Sequence, residues 1–149
     1  DQQATARVRE EARAWVRPAP APVRAADVDP RGVRATARNA REAGVGAVVG
    51  AARRDVRDLI LPGEGALVVA NPPYGERLGD VDTLRPLYRL LGDALKQRGA
   101  GAVAWLLVGN PELAKEIGLR ASRRIPLFNG PIECRLLRID LFRGSARGR

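Results

Sequence analysis

The chain has 149 residues, 45% of them hydrophobic, enough for one compact domain with its own core, and it carries no apolar run long enough to span a membrane and no leader-like start, so a cytoplasmic protein is expected. Cys134 is the only cysteine and histidine is absent, which excludes an intrachain disulfide and the usual zinc and iron ligand sets, so no metal is expected. The formal charge is +9, and with lysine only at Lys96 and Lys115 the excess is almost all arginine; a polyanionic partner such as RNA and a GC-rich coding bias account for it equally well.

In chain order, residues 4–16 have helical spacing, with Val8, Ala12 and Trp15 or Val16 on one side. The alternating prolines Pro18, Pro20 and Pro22 then forbid a helix and make a stiff connector, so residues 1–22 form a leading segment. Residues 23–28 predict a short strand, after which Asp29 and Pro30 are a cap and first residue for a helix stopped at Gly44. An apolar strand at 47–52 gives way to a turn at 53–59. After the loop 61–65, the unbroken apolar run 66–70 fits a strand covered on both faces.

Asn71-Pro72-Pro73-Tyr74 follows that strand at once. A helix is predicted from Asp82 to about residue 98, with Leu84, Leu87, Tyr88, Leu91 and Leu95 on one side, then a buried strand at 102–108 and a short helix opened by Asn110 and Pro111. The last third reads as a β-hairpin, 124–128 and 132–142 about Asn129-Gly130-Pro131, with a basic tail at 143–149. The alternation implies an α/β fold with a mostly parallel sheet and a C-terminal antiparallel hairpin, over residues 23–142. Ligands in such sheets sit at the carboxyl ends of the strands, where Asp27, Asp55 and Asn71 all fall, and these three are expected to converge on one cleft.

The tetrapeptide at 71–74 is suited to one chemistry. Methyl transfer to an sp2 amino nitrogen needs the nitrogen lone pair drawn out of conjugation. A side-chain oxygen from Asn71 and a backbone carbonyl from Pro72 can accept the two N–H bonds and hold that geometry. Pro72 and Pro73 stiffen the loop beforehand, and Tyr74 offers a flat face on which a base can stack. The bland alternative is a proline-rich turn with a surface tyrosine.

Asn71-Pro72-Pro73-Tyr74-Gly75-Glu76-Arg77-Leu78-Gly79, with Asp27-Val28-Asp29-Pro30 upstream and Asn129-Gly130-Pro131-Ile132-Glu133-Cys134 downstream, resembles the catalytic domain of bacterial large-subunit (23S) ribosomal RNA guanine-N2 methyltransferases over nearly the whole chain. The four-residue core alone is shared with DNA adenine and protein glutamine methyltransferases; the two longer segments favour the RNA branch. The resemblance implies a Rossmann-like class I methyltransferase that uses S-adenosylmethionine and acts on ribosomal RNA. DNA adenine-N6 methylation and a non-catalytic RNA-binding module are the alternatives.

Carried over by position, Asp27 would bind the ribose hydroxyls of the cofactor and Val28 would pack on its adenine. Asp55 would meet the adenine amino group, with Asp58 as a competing candidate, and Val56 would add its backbone N–H. Asn71, Pro72, Pro73 and Tyr74 would form the catalytic loop, with Asn71 also among the cofactor-binding residues. Glu76 and Arg77 would contact RNA, order the loop or form a surface ion pair, and Cys134 reads as a core or edge residue. Because methionine is absent even at position 1 and no Gly-rich loop precedes Asp27, the chain is expected to start after the family's first strand. Alone, it is then expected to bind cofactor weakly, to be inactive, and to have an exposed sheet edge open to self-association.

Overall fold

The computed structural model describes residues 1–61, 65–75 and 80–142; the Glu76 and Arg77 contacts and the basic tail expected from the sequence lie outside the described residues. The chain forms two compact units, Asp1–Arg53 and Arg54–Arg149.

The first unit holds two helices and a two-stranded parallel sheet. Helix α1, Gln2–Ala14, starts two residues earlier than its apolar spacing indicates because Asp1 caps it, accepting the Gln3 N–H. Strand β1, Val23–Asp27, follows the proline connector. At the start of α2, Pro30–Glu42, Asp29 accepts the Arg31 N–H at 2.8 Å. Pro30 fits the first helical position because an N–H there would have no helical partner. Gly44, at φ 74°, takes the left-handed turn that ends the helix. Strand β2, Val49–Arg53, then pairs with β1, Val23 opposite Val49 and Asp27 opposite Arg53. Among the described residues of this unit, only Ala40 is buried.

The second unit opens with a single 3-10 turn, Val56–Asp58. Strand β3 (Leu67–Ala70), helix α3 (Asp80–Arg98), strand β4 (Val103–Val108), helix α4 (Pro111–Glu116) and the hairpin strands β5 (Arg123–Asn129) and β6 (Ile132–Asp140) follow. The sheet order is β3-β4-β6-β5, with β3 parallel to β4 and the hairpin antiparallel. A strand's side chains alternate between faces, so Ala104, Leu106 and Val108 of β4 share one face and belong to the same buried core cluster as Tyr88, Leu91 and Leu95 of α3. Helix α4 joins the same cluster through Leu113 and Ile117. It is fastened to α3 by Glu116, which accepts from Arg85 and from Arg89, each at 2.6 Å.

Strand-helix alternation, parallel pairs and a terminal antiparallel hairpin are the α/β architecture the sequence predicts. Two features differ from expectation. The strands pair in two sheets instead of one. Strand β3 is also not covered on both faces: Leu67 and Val69 are 64% and 70% exposed, because only the side carrying Val68 and Ala70 packs on the core.

Candidate functional site

Asn71 is the residue after β3, so its position is set by the parallel pairing of Ala70 with Leu106. The loop it begins is anchored from three directions within the second unit. From α3, the Tyr88 hydroxyl donates to the Pro73 carbonyl at 2.9 Å. Burial pushes the Tyr88 pKa up to about 12, so the hydroxyl keeps its proton through the neutral range. From the hairpin, Asn129 Nδ2 donates to the Tyr74 hydroxyl at 3.3 Å, and that hydroxyl donates to Asn71 Oδ1 at 2.5 Å. From the end of β4, Gly109 lies under the Tyr74 ring: a Cβ there would fall 2.8 Å from its Cγ and Cδ2.

Tyr74 is therefore only 9% exposed, a wall of the site more than a free stacking surface. Burial raises its pKa, and the hydrogen bond from Asn129 opposes that rise. Asn71 remains exposed, Pro72 is half-buried and Pro73 is exposed. Such a loop offers an accessible amide oxygen on a backbone that cannot easily shift, which suits recognition of an amino group.

The other expected site residues occupy the two units separately. In the first, Asp27 ends β1 and Val28 follows it, both exposed. Asp27 Oδ1 accepts the Asp29 N–H at 2.8 Å, and Gly32 leaves room for its other oxygen, which would lie 2.4 Å from a Cβ at that position. The carboxylate is thus held at the start of α2 with one oxygen still open to hydroxyl donors. The Val28 carbonyl accepts from Arg53 at 3.1 Å. Asp29 is the cap of α2, as expected from its position before Pro30.

In the second unit, Asp55 caps the 3-10 turn and is paired with Arg57, at 2.9 Å to the backbone N–H and 2.9 Å to Nη2. Those Arg57 hydrogen bonds hold its pKa at about 2. Val56 packs against the unit's core, while Asp58 is exposed and lends its carbonyl to Arg54. The residues missed from the sequence are Tyr88, Gly109 and Asn129: the first read as a core apolar position, and the others approach Tyr74 only through tertiary folding. Among the described residues no cluster could hold a metal ion and no helix is long and apolar enough to cross a membrane.

The family model described as the RMKL-like methyltransferase domain matches residues 1–138. Over 119 residues the chain is 50% identical to the ribosomal RNA large subunit methyltransferase K/L of Syntrophotalea carbinolica, covering 77% of this chain and 17% of that protein. Among solved structures, SMU.472 complexed with SAH superposes with a TM-score of 0.80 at 26% identity, over 97% of this chain and 38% of the other. A Listeria monocytogenes protein described as a predicted N6-adenine-specific DNA methylase gives 0.68 at 30% identity, over 79% and 30% of the two chains.

Proposed function

This chain belongs to the RMKL-like methyltransferase domain family, and from that premise we propose that it methylates an exocyclic base amino group, guanine N2 of ribosomal RNA, with S-adenosylmethionine as donor, in the cytoplasm. The chain spans about a sixth of the length of the K/L relative it matches, so substrate and activity are assigned here to the protein that carries it. The observation that carries the reading is the anchored loop at 71–74, whose exposed Asn71 oxygen is steadied by Tyr74 and whose Pro73 carbonyl is tied to α3.

Asp27 fits the ribose end of the cofactor, since its carboxylate is held by the Asp29 N–H and keeps acceptor capacity for two neighbouring hydroxyls. Val28 packs beside the adenine, and Val56 offers its backbone N–H. Asp55 meets the adenine amino group as a carboxylate, ionised at neutral pH as any aspartate of ordinary pKa is and held in place by its pairing with Arg57. When bound, the donor supplies an activated methyl group on sulfonium. Asn71 and the Pro72 carbonyl accept the two amino hydrogens and turn the nitrogen lone pair toward that methyl group, while Tyr74 borders the base. The N–C bond would form on the amino nitrogen that Asn71 and Pro72 orient, with cleavage of the donor's S–C bond, and an amino proton would pass to solvent.

The test is Asn71→Ala in the full protein on unmodified ribosomal RNA. Turnover should fall by about a hundredfold or more, on the scale of losing a group that acts only in the transition state, with cofactor affinity nearly unchanged. Equal loss of both would reduce Asn71 to a support for the cofactor site. Nucleoside analysis of the product decides the base, since N6-methyladenine, with DNA as the better substrate, would establish the alternative suggested by the Listeria likeness.

A further inference from the structure

We propose that Asn129, in the Asn-Gly-Pro-Ile-Glu-Cys hairpin segment, is a positioning residue for methyl transfer, acting on Asn71 through the Tyr74 hydroxyl; this rests on the function proposed above. A buried hydroxyl has to be satisfied, and the Tyr74 hydroxyl meets two amide groups, Asn129 Nδ2 at 3.3 Å and Asn71 Oδ1 at 2.5 Å, with the Cys134 thiol, a much weaker hydrogen-bonding group, beside it. An amide nitrogen only donates, so the hydroxyl accepts from Asn129 and its single proton is directed to Asn71. The polarity of the relay is therefore set from the hairpin end.

That polarity matters for the chemistry. A carboxamide turned over would present its NH2 to the target amino group, donor against donor. With one lone pair of Oδ1 held by Tyr74, the oxygen stays where a base must find it, and the second lone pair remains for an amino hydrogen. Asn71 is exposed, so that lone pair is reachable. The Tyr74 ring cannot retreat, because Gly109 backs it, and a Cβ on Gly109 would also lie 3.2 Å from Ile132, three residues beyond Asn129. Orientation is thus prepared before substrate arrives, and its loss is expected in turnover more than in affinity.

The experiment compares the full protein with Asn129→Ala, Tyr74→Phe and the double variant, measuring kcat, KM for ribosomal RNA and cofactor Kd. Asn129 is exposed, so its truncation leaves the core intact. Asn129→Ala should lower kcat roughly tenfold, the worth of one well-placed hydrogen bond, with cofactor Kd unchanged. In the Tyr74→Phe background the same change should do little more, because the relay is already cut. Asn129→Asp should fall below the alanine variant, since a carboxylate accepts and would draw the Tyr74 proton away from Asn71. A readout independent of activity is the Tyr74 Cζ resonance, whose titration should move to higher pH in Asn129→Ala as a stabilising hydrogen bond is lost. Unchanged kcat in Asn129→Ala, or penalties that multiply in the double variant, would overturn the relay. A wild-type protein that does not methylate a base amino group would instead overturn the function on which it rests.

Discussion

At the scale of the single residue, two polar groups have roles that their type alone does not announce. Tyr88 sits in the core face of α3, yet its hydroxyl holds the Pro73 carbonyl. Tyr88→Phe keeps the ring and deletes the bond, so it should lower unfolding stability by about 1 kcal/mol, read from urea midpoints, and loosen the 71–74 loop. Asp55 is the second. Its folded pKa is depressed from 3.8 to about 2, so the stability it contributes is fully present above 3.8 and is lost as pH falls through about 2. Carboxyl NMR titration should place its midpoint near 2, returning toward 3.8 in Arg57→Ala; no difference between the two would mean the pairing is absent in solution.

At the scale of the element, what the sequence disclosed was what neighbours along the chain decide. The helix starts at Asp29-Pro30 and Asn110-Pro111 were legible because a cap and a proline act locally, and both asparagine and aspartate accept the expected backbone N–H groups. The hairpin turn and the Tyr88 stripe were legible for the same reason. The open face of β3 was not, since Leu67 and Val69 look identical to covered residues until their neighbours are known. The link from Asn129 to Tyr74 spans 55 positions and has no periodicity to betray it.

Packing between α3 and α4 was equally hidden, and it makes a sharp prediction. A Cβ on Gly92 would lie 1.9 Å from the Ile117 carbonyl oxygen, a backbone atom that cannot move aside alone. Gly92→Ala should destabilise by about 1–3 kcal/mol or more. Gly50→Ala, with nothing within 4 Å of its Cβ, should be near neutral; equal thermal midpoints for the two variants would mean that α4 is not held so tightly against α3.

At the scale of the whole molecule, buried apolar side chains are concentrated in one unit. Leu95, Leu106, Leu113 and Cys134 are fully buried in the second, whereas Ala40 is the only buried residue described in the first. Amide exchange should therefore be slowest in β4, β6 and α3 and fastest in α1, β1 and β2, measured by mass spectrometry of peptides from the folded protein. Comparable protection in β1 and β4 would show a stabilisation of the first unit that its own contacts do not account for. Cys134 gives a further consequence of this burial. It is the one cysteine of this 149-residue sequence, it is fully buried, and it neighbours the Tyr74 hydroxyl. A maleimide can reach that buried sulfur only when its surroundings open, so labelling followed at the peptide that carries Cys134 is a chemical clock for the hairpin and the 71–74 loop. At reagent concentrations high enough to outpace reclosing, the rate of label uptake at Cys134 counts openings, and a ligand that holds the segment shut will be heard as silence.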